Sequence, residues 1–269
     1  MNNINNLIWV SFCSLLSILI ITNDTQAQQV TVEEIIVTAR QRSESLQDVP
    51  ASITAFTSEQ LESAGVERPE DFISLTPGVT FVDAAEVGDT QVNIRGINGA
   101  RDAENSFALI IDGILHTNPA AFNREYSNLE QIEILKGPQG AIYGRNAAAG
   151  AIIITTKKPE EVTTGKFKAS IANDDTYFGS AYISAPLSDS VGANIQLDWR
   201  DTDGFYNNET LNRKVVDDLT NFNIATRFII ENTENSTLDI KARYGEVDAA
   251  AISFNASFAA EFLAGLFGN

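Results

Sequence analysis

The sequence holds one cysteine and one histidine in 269 residues. Cys13 lies in an N-terminal apolar run. Once that run is removed, no disulfide, thiol nucleophile or cysteine metal site remains. A lone His116 cannot build a histidine-rich metal cage. Basic residues are also scarce: 18 Lys and Arg stand against 36 Asp and Glu, for a formal charge of -18. That balance argues against a nucleic-acid partner, which needs a basic patch to neutralise phosphate. It suits a solvated surface or a polar interior, and equally an ordinary acidic soluble protein. No nucleophile–base constellation or paired carboxylate motif stands out, so an enzyme is the least supported class. Tyr143-Gly-Arg-Asn-Ala-Ala-Ala-Gly150 lacks the Gly-Lys-Ser/Thr ending of a nucleotide-binding loop. Neither a metal site nor a resident cofactor is expected.

Long apolar runs are missing too. The longest, Leu7 to Ile21, has 15 residues, whereas a spanning helix needs roughly 20. Thr25-Gln26-Ala27 places small residues before a cut after Ala27, so residues 1–27 read as a cleavable secretory signal peptide. Met1 to Asn6 carries no Lys or Arg, which departs from that pattern. An uncleaved anchor is the alternative.

What is present falls into three zones. Residues 28–47 are polar, with an apolar island at Ile35-Ile36-Val37. Residues 48–159 mix short strands and helices. Ile53–Phe56 reads as a strand, and Thr57-Ser-Glu-Gln60 as a capping box opening a helix that stops at Gly65. Pro69 can begin a second helix, ended by Pro77-Gly78. Strands are expected at Val79–Val82, Val92–Ile94 and Phe107–Ile111, and Ser127-x-x-Glu130 reads as another capping box before Ile132–Leu135. Ala151-Ile-Ile-Ile-Thr-Thr156 is continuous and β-branched, which suits a strand buried on both faces. This zone is an α+β domain large enough to bury one core.

From Gly165 the chain reads as alternating strands. Val191, Ala193, Ile195, Leu197 and Trp199 share one face; Gly192, Asn194, Gln196, Asp198 and Arg200 share the other. Leu238–Gly245 and Phe222–Ile230 behave alike, and Phe167–Ala172 and Tyr177–Ala185 less cleanly. Alternation alone also suits a soluble sandwich. The charges, however, keep to the polar faces. Short PLSDS and ENTEN connections flank the long stretch Asp201–Thr220. Tyr177, Trp199, Phe222 and Tyr244 fall at one end of their strands, as in an aromatic girdle. We expect about five strands of a transmembrane β-barrel in residues 165–269.

Several motifs now fall into order. Glu34-Ile35-Ile36-Val37-Thr38-Ala39 is β-prone in a polar, flexible context and can add a strand to another protein's sheet, a disordered tail being the competing reading. Gln47-Asp-Val-Pro50, Leu75-Thr-Pro-Gly-Val79, Val92-Asn-Ile-Arg95-Gly96-Ile97, Ile111-Asp112-Gly113-Ile114, Ile132-Glu-Ile-Leu-Lys136-Gly137-Pro138 and Ile142-Tyr143-Gly144-Arg145 follow. Together they resemble the plug region of TonB-dependent outer-membrane receptors.

That resemblance implies an α+β plug followed by the first antiparallel strands of a transmembrane β-barrel, incomplete here against a family barrel of about 22 strands. It implies residues 34–39 as the TonB box, pulled by TonB with energy from the inner-membrane proton gradient. It implies active uptake of a scarce nutrient, most simply an iron–siderophore complex, with iron only as chelated cargo. Haem, cobalamin and oligosaccharide are the alternatives within the family, and a secreted β-rich adhesin the alternative outside it. Outer-membrane lipid is the other partner. Arg95 and Arg145 become candidate cations pairing with barrel carboxylates outside this chain, with surface or turn arginines as the competing reading. Candidate substrate loops are 83–89, 98–105 and 116–124, carrying Asp83, Glu86, Asp89, Arg101, His116, Asn118 and Arg124; a hydrogen-bonded loop role is the competing reading of His116. Asp201-Thr-Asp-Gly204 reads as a loop or turn rather than a calcium site. Five strands cannot close a pore, and Phe254, Phe258, Phe262 and Leu266 follow helical spacing, so the chain reads as an N-terminal fragment that does not transport by itself.

Overall fold

Two sheets of opposite character organise the computed structural model. It describes residues 34–39, 42–82, 90–99, 103–209, 211–215, 217–233 and 236–250. The N-terminal run 7–21, the loop residues Asp83, Glu86, Asp89 and Arg101, and the expected helix at 254–266 lie outside the described residues.

The first sheet belongs to an α+β domain. It contains β3 (Ser52–Thr57), β6 (Phe107–Ile111), β7 (Ile114–His116), β8 (Leu129–Lys136) and β9 (Gly150–Thr156), in the order β3-β8-β9-β6-β7. The β-branched strand β9 is central, antiparallel to β8 and parallel to β6. Gly150 is required where β9 meets β8, because a Cβ there would stand 2.1 Å from the Leu135 carbonyl oxygen. Thr57 ends β3 and opens helix α1 (Ser58–Ser63) through the expected capping box with Gln60. Pro69 is the first residue of α2 (Pro69–Ser74), and the Asp71 carboxylate accepts the amides of Glu67 and Arg68. A small sheet pairs β4 (Val79–Val82) with β5 (Gln91–Ile94). Leu61, Phe72, Ile94, Phe107, Phe122, Ile132, Ile134 and Ile152 form the main core on one face of the five-stranded sheet. Burying each such side chain is worth about 1.5–3 kcal/mol.

The opposite face carries a second, smaller cluster around Ala108, Ile110, Leu135, Ala151 and Ile153. A hairpin of β1 (Ile36–Val37) and β2 (Glu44–Ser45) lies over it. Val37 and Ala39 are buried.

The second sheet is a wall of five long antiparallel strands: β10 (Thr164–Ala172), β11 (Thr176–Ser188), β12 (Val191–Thr202), β15 (Leu219–Thr233) and β16 (Ser236–Ala249). A two-strand ribbon of β13 (Asn207–Asn208) and β14 (Arg213–Lys214) sits in the connection from β12 to β15. The connections follow the expected alternation in part. Residues 189–190 turn tightly and 203–218 form the long loop, but β10 and β11, meeting at the long-loop end, are joined by only 173–175.

The wall is inside out relative to a soluble sheet. On β12, Gln196 is 4% exposed and Asp198 2%, while Leu197 is 37% exposed and Trp199 42%. A sandwich would bury the apolar residues and leave the polar ones in water. Here the polar face lies against the α+β domain and the apolar face points away from it. Phe167, Ile171, Ile183, Ile195, Phe228 and Ile240 continue that outer surface. Trp199 pairs directly with Phe222 across β12 and β15.

The structure corrects two local readings. Ser127-x-x-Glu130 caps no helix: Glu130 lies within β8, and the Ser127 hydroxyl instead accepts a hydrogen bond from Gln196 on the wall. The stretch 116–124 is not one exposed loop. His116 ends strand β7, Phe122 sits in the core, and the Asn118 side chain accepts the Ala120 amide in a 3₁₀ turn. A buried phenylalanine and a short turn draw that segment inward.

Candidate functional site

The α+β domain presents carboxylates to the wall, and the wall answers with cations. Glu125 follows the 3₁₀ turn and is buried at 2% exposure. Its oxygens accept hydrogen bonds from Arg200 Nε at 2.6 Å and Nη2 at 3.2 Å. The same Nη2 reaches Glu67, just before α2, at 2.7 Å. Lys168 of β10 also pairs with Glu67. Phe178 of β11 stacks beneath Arg200, with its ring centre 4.9 Å from the guanidinium carbon. Planar bidentate geometry and a flat aromatic partner favour arginine over lysine at this place. Burial pushes the Glu125 carboxyl up to about 6 against the opposing pull of Arg200.

A second contact forms at the tip of the β6–β7 hairpin. Asp112 and Gly113 both take left-handed backbone, with φ of 50° and 83°, as an Asp-Gly hairpin turn does. The Asp112 carboxylate accepts the Thr156 amide and hydroxyl at 2.8 Å each, tying the turn to β9. Arg227 of β15 stands 3.9 Å from it, donates to the Thr156 carbonyl at 3.0 Å, and forms a two-point pair with Asp239. Lys241 reaches the Asp112 carbonyl. A third contact joins Glu62 of α1 to Lys157 and Lys166; the Lys166 hydrogen bond first, then the two charges, hold its carboxyl below the usual range despite some burial.

The glycine-rich motif and the turn after β5 carry the two candidate arginines. Residues Gly140–Tyr143 form a short helix, α3, and Gly144 follows at positive φ. Arg145 is exposed and pairs with Glu104 at 3.5 Å. Arg95 sits beside Gly96 in the left-handed turn after β5, with its guanidinium over Gly137. Among the described residues neither arginine touches the wall. Lys136 donates to Thr54 and the Pro77 carbonyl, and burial lowers its ammonium below the usual range. Gly137 takes φ of 110° before Pro138, letting the chain turn out of β8.

Residues 34–39 differ from expectation in mobility. The segment is extended, yet it is docked rather than free. Gln131 Nε2 donates to the Ile36 carbonyl at 2.9 Å, and the Tyr143 hydroxyl donates to the Ala39 carbonyl at 2.6 Å. The Thr38 amide lies 2.9 and 3.0 Å from the two Glu133 oxygens, and its hydroxyl 3.0 Å from one of them. Burial, with the nearby Glu133 charge, pushes the Tyr143 phenol up to about 12. The polar surroundings in sequence concealed the apolar cluster that takes Ala39.

Of the substrate-loop candidates among the described residues, Arg124 alone lines a cavity of about 390 Å³ between the α+β domain and the long-loop end of the wall. Arg68, Phe81, Asp174, Phe205 and Asp217 line it as well. Arg124 Nε meets the Tyr126 hydroxyl at 3.2 Å, while Nη2 is buried without a hydrogen-bond partner among the described residues. His116 is half-buried near Arg124 and Arg243. Burial first, then those charges, lower its pKa. Asp217 accepts the Phe205 and Tyr206 amides and so shapes the loop at the cavity mouth.

A family model described as the TonB-dependent Receptor Plug Domain matches residues 45–151. The chain carries a TonB-dependent receptor plug domain. The pesticin receptor of Yersinia pestis is 27% identical over 174 residues, covering 64% of this chain and 25% of that receptor. The ferrioxamine receptor of Yersinia enterocolitica is 26% identical, covering 71% of this chain and 26% of that protein. The solved ferric yersiniabactin uptake receptor FyuA from Yersinia pestis matches with a TM-score of 0.66 at 21% identity, over 73% of this chain and 32% of that one. The pyoverdine outer membrane receptor FpvA from Pseudomonas aeruginosa gives 0.67 at 19%, over 80% and 30%. The chain spans about a quarter of the length of the curated relatives it matches. The long-strand sheet packed on the plug has the fold of the first wall strands in those solved receptors.

Sequence reasoning missed Glu67, Glu125, Glu133 and Arg227 as contact residues. A signal was available for two of them. Arg200 falls on the polar face of β12, and a cation facing a filled lumen needs carboxylates on whatever fills it, here Glu67 and Glu125.

Proposed function

We propose that this chain is the plug and first wall strands of an outer-membrane receptor that actively imports an iron–siderophore complex. The observation that carries the proposal is the inside-out wall. Its apolar side is built for lipid, and its polar side is bonded to a plug through Arg200, Arg227 and Lys168. A plug blocking a lumen is useful only if something displaces it. Residues 34–39 are the proposed handle, pulled by TonB through strand addition. The relatives named for ferrioxamine, yersiniabactin and pyoverdine all handle iron chelates, which favours that cargo here. The cavity holding Arg124 is the proposed place where cargo first meets the plug. Export by residues 1–27 and residence in the outer membrane belong to the same reading.

The test is uptake of radiolabelled iron chelates by cells expressing the full-length receptor under iron limitation, with and without TonB. We expect TonB-dependent accumulation of at least one chelate, lost when Ile36 and Thr38 are replaced by proline. TonB-dependent uptake of cobalamin or an oligosaccharide, with none of iron, would overturn the cargo. Uptake unchanged without TonB would overturn the mechanism.

A further inference from the structure

Both edges of segment 36–39 are occupied. On one side Ile36 and Val37 pair with Ser45 and Glu44. On the other, three plug side chains stand where a strand would be: Gln131 and Glu133 from β8 and Tyr143 from α3. Of these only Glu133 is a carboxylate. It is 1% exposed, between Ala55 and Ile153 on neighbouring strands. No ion pair to it exists among the described residues. Its charge is met by the Thr38 amide, the Thr38 hydroxyl and the Ala39 amide. Every one of those donors belongs to the segment.

We propose that Glu133 couples the position of segment 36–39 to the integrity of the plug sheet. While the segment is docked, its donors satisfy the carboxylate. When the segment leaves, an unpaired carboxylate is left in the middle of a five-stranded sheet, next to an apolar cluster. A buried charge without partners is strongly unfavourable. The sheet relieves it only by admitting water or by taking up a proton, and admitting water means parting β8 from its neighbours. Force on the segment thus becomes loosening of β8 and β9 without any lever between them. Burial already pushes the Glu133 carboxyl up in the docked state, against the pull of its donors from Thr38 and Ala39. That the segment is pulled rests on the proposed function; the coupling itself does not.

Hydrogen exchange on the full-length receptor in lipid vesicles tests this without TonB or cargo. The segment is undocked by Val37→Asn with Ala39→Asn, and its release is read from the amides of residues 36–39 and 44–45. Exchange is then followed in β8 and β9. In the parent protein, undocking is expected to speed β8–β9 exchange at least tenfold. In a Glu133→Met background, which has similar volume and no charge, the same undocking is expected to change it less than twofold. Glu133→Gln repeats the comparison with a neutral isostere and is expected to fall below the parent. Equal acceleration in all backgrounds would mean that lost packing alone loosens the sheet, and would overturn the coupling. No acceleration in the parent would overturn it as well. A receptor that shows the coupling yet fails the uptake test refutes the transport reading alone.

Discussion

Arg200 joins plug and wall through a buried ion pair. Its guanidinium serves two carboxylates and covers one aromatic ring. Arg200→Ala leaves Glu125 buried without its cation, a loss expected to cost about 3–5 kcal/mol. Urea unfolding of the full-length receptor in vesicles measures it, and Arg200→Lys is expected to recover only part, since one ammonium cannot bond both carboxylates in the fork geometry. Glu125 also sets a pH dependence. Its carboxyl is raised to about 6 from 4.5 by burial, so the folded state holds the proton more tightly than the unfolded one. Its contribution is therefore greatest below about pH 4.5 and is lost as pH rises through about 6. Going from pH 7 to pH 5, the parent is expected to gain stability relative to Glu125→Gln in the same unfolding assay. A constant difference across that range would contradict the assignment.

Strands and helices were more legible than the contacts they make. Thr57 and Gln60 announce a helix start by local chemistry, and β9 announces a buried strand by its β-branched run, so both could be read from neighbours in sequence. Ser127-x-x-Glu130 has the same local signature as Thr57 but lies where the chain enters a sheet and faces Gln196, 69 residues away. Nothing local tells the two apart. The same holds for Ala39, whose burial depends on β6, β8 and β9. The alternation of β12 was legible as two faces; which face meets lipid needed the plug. That assignment makes an element-scale prediction. Leu197→Arg, on the outer face, is expected to cost roughly 2–4 kcal/mol in lipid. Leu197→Phe at the same place is expected to cost less than 1 kcal/mol, because it stays apolar with free space around it. Folding equilibria into vesicles compare them.

Among the described residues, the plug is bonded through its charged surface to the polar side of an apolar-faced wall. Carboxylates outnumber cations two to one, and Lys168, Arg200 and Arg227 on the wall's inner face are paired with plug carboxylates. Everything in this arrangement depends on which side of β12 meets lipid. Nitroxide labels placed singly from Asn194 to Arg200 in the full-length receptor, in vesicles, report this by collision with oxygen and with a water-soluble nickel chelate. The account predicts oxygen maxima at Ile195, Leu197 and Trp199, low nickel access there, and low access to both reagents at Gln196 and Asp198. High nickel access at Leu197, or no alternation along the strand, would contradict it.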